Sequence, residues 1–147
     1  MKFIATIAFV LVFGSSAMAM EVWLYSEGSN AKFTIDTANR CYTVEKLWSD
    51  RATLSKWKKL PNRTFIAFYK DAYCTGEVVK SSDTPHGSYS FKDKSKLNRA
   101  MSSFMVEKKG IYPTAGLETI KADIQELPDL YENIGLNASI SGNEAMT

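Results

Sequence analysis

Histidine and cysteine are scarce in this chain of 147 residues, which has one His (His86) and two Cys. A multi-ligand His/Cys metal centre is thereby excluded, and so is a Ser-His-Asp triad unless His86 supplies the base. A strong charge imbalance is also lacking. The formal net charge is +2, too balanced for the electrostatic footprint of a nucleic-acid binder. Paired-carboxylate, nucleophile-elbow and phosphate-loop patterns are missing as well. What remains is an ordinary globular composition, 45% apolar and 23% charged, which excludes a wholly disordered, collagen-like or multi-pass membrane chain.

One apolar run stands out. Phe3 to Phe13 is broken only by Thr6, follows the positive Met1-Lys2, and ends at Gly14-Ser15-Ser16 and the small-x-small Ala17-Met18-Ala19. This is the pattern of a secretory signal peptide over residues 1–19. The run is about half of the ~20 residues that a membrane-spanning helix needs. Residues 20–147 are therefore expected to be soluble, secreted and without a transmembrane segment. Export makes Cys41 and Cys74 a disulfide pair, since they form the only intramolecular combination in an oxidising compartment. By the chain-entropy argument, a loop of that length is worth roughly 3 to 4 kcal/mol. Asn62-Arg63-Thr64 and Asn137-Ala138-Ser139 become candidate glycosylation sequons at Asn62 and Asn137.

Charge divides the chain. Residues 20–116 hold 16 Lys and Arg against 10 Asp and Glu, while residues 117–147 hold one against six. The division predicts a mildly basic domain over 20–110 and an acidic tail over 111–147. In the domain, short β-prone runs alternate with turn residues: Val22 to Tyr25, Lys32 to Ile35, Cys41 to Val44, Thr64 to Tyr69, Gly76 to Lys80, Ser88 to Lys92 and Ser103 to Glu107. Strands at this spacing predict an all-β sandwich or barrel. Thr53 to Leu60 and Lys94 to Met101 are expected as irregular or one-turn helical connections. In the tail, Leu117, Ile120, Ile124 and Leu127 fall at helical spacing and Pro128 stops them. The expectation there is a short helix packed on the domain, a partly disordered tail, or a segment that folds onto a partner.

An internal repeat is also present. Asp50-Arg51-Ala52-Thr53-Leu54-Ser55 recurs 48 residues later as Asn98-Arg99-Ala100-Met101-Ser102-Ser103. The chain thus divides into two motifs, about 21–61 and 64–109, each too small to bury its apolar face alone. The second motif carries Tyr69, Cys74 and Gly76 in a strand-end and turn, with Gly76 free to take a positive φ and leave room for an aromatic over the turn. This arrangement, with the Ser-bearing closing segment Ser102 to Val106, resembles the βγ-crystallin Greek-key signature. Cys74 stands where the family has an aromatic, and Lys32 stands at the Gly position of the first motif.

The resemblance implies a βγ-crystallin-like sandwich of two Greek-key motifs, like those of killer-toxin-like and oomycete or fungal secreted proteins. It also implies a calcium motif of Asn/Asp pairs and Ser/Thr-Ser. Both copies here have Arg at the second position, Arg51 and Arg99, and a guanidinium brings a cation where one is to be bound. No cofactor is expected beyond a degenerate calcium site around Asn98 and Ser102. A basic cluster beside an aromatic, Lys56, Trp57, Lys58, Lys59 and Arg63, is the expected contact surface for a host or competitor cell component such as anionic lipid or polysaccharide. Trp23 and Trp48 are expected in the core. The functional expectation is a secreted, non-enzymatic, toxin-like or effector-like protein acting on other cells, with a calcium- or carbohydrate-binding structural module as the alternative.

Overall fold

A computed structural model describes residues 18–93, 95–112 and 114–126. Most of the expected signal peptide (residues 1–17), the Asn137 sequon and the end of the expected acidic tail lie outside the described residues. Among the described residues ten strands form two five-stranded sheets. They are β1 (Met20–Ser26), β2 (Ser29–Ile35), β3 (Cys41–Val44), β4 (Leu54–Lys58), β5 (Thr64–Asp71), β6 (Thr75–Lys80), β7 (Gly87–Ser90), β8 (Ser103–Lys108), β9 (Leu117–Ile120) and β10 (Ile124–Glu126). The first sheet has the order β10-β2-β1-β4-β7 and the second β6-β5-β8-β3-β9. Each run of four strands therefore keeps its first, second and fourth strands in one sheet and sends its third to the other. The two runs cannot separate without breaking both sheets.

Period-two alternation explains the inner faces. Met20, Val22 and Leu24 of β1, Ala31, Phe33 and Ile35 of β2, and Ile66 and Phe68 of β5 point inward and are buried. Tyr42, Trp48, Trp57, Phe91 and Phe104 complete the core. Rings meet across the sandwich: Phe33 lies edge-on to Phe104 at 6.2 Å, and Phe68 edge-on to Phe91 at 5.1 Å. Such pairs add about 0.5–1.5 kcal/mol beyond area burial.

The Cys41–Cys74 disulfide is present, with Cα atoms 5.9 Å apart. It joins β3 to the 3-10 turn Ala72–Cys74, across the outer face of the second sheet. The cross-link ties the first four-strand run to the second.

Two expectations are corrected. Leu54–Lys58, expected within an irregular or one-turn helical connection, is a strand between β1 and β7. Its outward lysines hid its alternation, because only Trp57 supplies a large inward side chain. The predicted tail helix is not formed over the described residues. Leu117–Ile120 pairs parallel with β3, and Ile124–Glu126 pairs antiparallel with β2. Free edges of β2 and β3 offer these residues backbone hydrogen bonds that a lone helix could not better, so tertiary pairing overrides helical spacing. Leu117 and Ile124 consequently stay exposed rather than forming a buried stripe.

Candidate functional site

Strand alternation decides where the predicted basic cluster points. On β4, Ser55 and Trp57 face the core, so Lys56 and Lys58 face solvent. Trp57, expected at the contact surface, is 2% exposed, and its indole N–H donates to the Thr84 carbonyl at 3.1 Å. The loop before β7 folds over it closely. A Cβ on Gly87 would come within 2.5 Å of Trp57 Cζ2, which requires glycine there. Trp57 is therefore a core residue, and the physical reason is the period of two: its lysine neighbours cannot share its face.

The aromatics that do accompany the lysines come from the neighbouring strand. Trp23 pairs across to Lys32 on one side and Lys56 on the other. Lys32 Nζ stands 5.6 Å from the Trp23 ring, and Lys56 Nζ stands 5.2 Å from the Tyr25 ring. Trp23, expected in the core, is half-buried on the outer face, and its indole N–H has no acceptor among the described residues. Glu21 is the one carboxylate on the outward positions of β1, β2 and β4. Lys59 at 2.7 Å and Lys32 at 3.4 Å hold it. The Lys59 hydrogen bond is the main reason its carboxyl lies below the ordinary carboxylate range, against a smaller opposing effect of burial. Lys56 and Lys58 have no carboxylate partner among the described residues. The face is thus a row of flat rings under lysines, with cations in excess. Such a surface suits a polyanion laid along it.

Arg63 is not on this face. It is exposed in the link to β5, at φ 60°, and its carbonyl accepts from the Lys109 backbone N–H. The neighbouring Asn62 is exposed, as a glycosylated side chain must be.

The predicted cation motif is distributed differently from its sequence register. Ser102 does not join Asn98, which stands exposed. The Ser102 hydroxyl donates to Asp50 Oδ1 at 3.0 Å and lies 2.8 Å from the Ser49 hydroxyl. Arg99 instead pairs with Glu27. Among the described residues no three His, Cys, Asp or Glu side chains converge. Ser49, Asp50, Glu27 and Arg99 line a polar cleft of about 460 Å³, together with Ser26, Lys46 and Arg51. Gly76 has φ +77°, as its turn requires, but what lies over it is the Asp71 carboxylate, not an aromatic ring. His86 is exposed in the loop before β7.

Comparison with protein-family models, with curated proteins and with solved structures finds no match to this chain. No helix among the described residues is long and apolar enough to cross a membrane.

Proposed function

We propose that this is a secreted, non-enzymatic interaction protein of βγ-crystallin-like Greek-key build that acts, toxin-like or effector-like, at the surface of other cells. The strand plan supports the fold reading. In each run the fourth strand returns beside the first, as β4 does to β1 and β8 to β5, while the third crosses to the other sheet. The disulfide supports passage through an oxidising compartment. The function rests on one observation, the outer face of β1, β2 and β4. There Lys32, Lys56, Lys58 and Lys59 surround Trp23 and Tyr25, with Glu21 as the one carboxylate on those outward positions. An anionic polysaccharide chain of a cell surface fits this pattern, with its charges on the lysines and its sugar rings on the aromatics.

The test applies residues 20–147, with the disulfide formed, to fungal, plant and bacterial cells and to an immobilised anionic polysaccharide. Binding, dye leakage and growth are followed over a dose range. The control protein carries Trp23→Ser and Lys56→Gln, which leave the core intact. Retention on the polysaccharide and a response in one cell class, both lost in the control, is the expected result. Equal behaviour of control and parent would remove this face from the account.

The polar cleft favours a second reading, a module for a small polar ligand such as a sugar. Its Glu27–Arg99 pair and the hydroxyls of Ser26, Ser29 and Ser49 offer donors and acceptors in one place. Binding of free monosaccharides, lost on Arg99→Ala and untouched by Lys56→Gln, would favour it over the first. Calcium titration tests the calcium form of this reading, and Asp50→Ala is its control.

A further inference from the structure

A second surface lies at the end of the second sheet. The link before β5 and the turn after β8 meet there. Thr64 is paired with Lys108, Lys109 N–H donates to the Arg63 carbonyl at 3.1 Å, and Ile111 N–H donates to the Lys108 carbonyl at 3.2 Å. Gly110, at φ +81°, lets the chain turn outward. The result lifts two apolar side chains away from the core. Ile111 is 55% exposed and Tyr112 is 89% exposed. Three cations stand around them. Arg63, Lys108 and Lys109 are exposed, and none has a carboxylate within ion-pair reach among the described residues. The nearest acid in sequence, Glu107, is already engaged by Lys80 at 3.0 Å and by the Tyr69 hydroxyl at 2.9 Å.

Two shallow hollows lie on this surface and share Lys108, Lys109 and Ile111. One of about 260 Å³ is walled by Asn62, Arg63, Lys108, Lys109 and Ile111. The other, about 320 Å³, adds Phe65, Glu107, Gly110 and Tyr112 to those shared residues. Two exposed apolar side chains beside three cations, at a projecting turn, match the upper acyl and headgroup regions of a lipid layer. We infer that this turn docks on a bilayer carrying anionic phospholipid, with Ile111 and Tyr112 entering the interface and Arg63, Lys108 and Lys109 meeting the phosphates. The inference rests on the surface-binding reading above but uses a separate face, so the two fail separately.

The probe is a vesicle of equimolar phosphatidylcholine and phosphatidylserine, with pure phosphatidylcholine vesicles as the uncharged control. The protein is residues 20–147, disulfide-bonded and produced without N-glycans, so that Asn62 is bare. Co-sedimentation with the mixed vesicles only, weakened by salt, is expected. Ile111→Ser with Tyr112→Ser should weaken binding at least tenfold. Arg63→Gln, Lys108→Gln and Lys109→Gln together should weaken it about a hundredfold, at roughly fivefold per cation near an anionic surface. Trp23→Ser with Lys56→Gln should leave it unchanged while removing polysaccharide binding. All substituted side chains are on the surface, and unchanged thermal unfolding confirms that the variants fold. The inference is overturned if mixed vesicles are not bound, if the turn variants bind as well as the parent, or if inorganic phosphate at vesicle-equivalent concentration displaces the protein, which would mark a simple anion site. Loss of vesicle binding in the Trp23→Ser, Lys56→Gln protein alone would also overturn it, by assigning the lipid contact to the other face.

Discussion

In the first four-strand run, Val22 faces Trp57 across the β1–β4 pair; in the second, Ile66 faces Val106 across the equivalent β5–β8 pair. The backbones correspond closely. Thr53 N–H donates to the Tyr25 carbonyl, and Ser102 N–H donates to that of Tyr69. Asp50 N–H donates to the Met101 carbonyl, and Arg99 N–H to that of Ala52. Those bonds set Asp50 against Arg99 and Thr53 against Ser102, a spacing of 49 residues. The side-chain repeat has a spacing of 48. In a strand, a slip of one moves a residue to the opposite face. Ser55 accordingly faces inward and donates to the Trp23 carbonyl, whereas Ser103 faces outward and donates to that of Asp71. The lesson is that hydrogen-bonded equivalence, not residue identity, says which positions of a duplicated motif can share a role. Asp50 and Arg99 occupy matched places with opposite charge.

The largest expected break in this correspondence is at Trp57. Trp57→Ala should cost about 3–5 kcal/mol and Val106→Ala, at the matched position, about 2 kcal/mol, because the volumes removed differ. Urea unfolding of the two variants checks this, and equal losses would mean the two half-cores carry the same load despite their rings. Next comes the bond between the halves. Cys41→Ser with Cys74→Ser should lose roughly 3–4 kcal/mol, read from the same curves against the parent with and without reductant. Gly87→Ala should cost about 1–3 kcal/mol by driving a methyl into the Trp57 ring, visible as a lower unfolding midpoint and an altered tryptophan fluorescence.

A smaller effect sharpens the charge comparison. Asp50→Ala should cost about 1 kcal/mol, since it removes one of the two hydrogen-bond partners of the buried Ser102 hydroxyl and leaves it only Ser49. Arg99→Ala breaks an exposed pair with Glu27 and should cost less than that. The smallest effect concerns pH. Because Glu21 has a lowered pKa in the folded chain, its stabilisation is fully present above the ordinary glutamate range. It is lost as pH falls through the folded value. Glu21→Gln should therefore lower the melting temperature slightly at neutral pH, with the difference from the parent vanishing as pH falls, which flattens part of the acid limb.

Much of the sandwich was legible from the chain. Seven of the strands announce themselves by β-branched and aromatic runs between turns, as Cys41 to Val44 and Thr64 to Tyr69 do. β4 did not, because its outer positions are lysines and its inner ones include Ser55. β9 and β10 did not, because edge pairing depends on a neighbour that local pattern does not reveal. The candidate surface was half legible. Lys56 and Lys58 were identified, but the strand reading that turns Trp57 inward was missed. Alternation over Leu54–Lys58 turns Trp57 inward, but only the β1–β4 register brings Trp23 and Tyr25 beside the lysines. The Arg63 surface was hidden for another reason. Lys108 and Lys109 are far from Arg63 in sequence, and only the β5–β8 register brings them together.

The two closing strands also impose an order in time. Glu126 reaches back to the Asn30 side chain across 96 residues, and Glu118 to Arg40 across 78. During synthesis β2 and β3 are therefore complete long before their outer neighbours exist. Each waits with an open edge, and both edges lie on the same flank of the sandwich. The interval is a window in which two nascent chains can pair edge to edge. A chain that stops short of residue 117 never leaves that window.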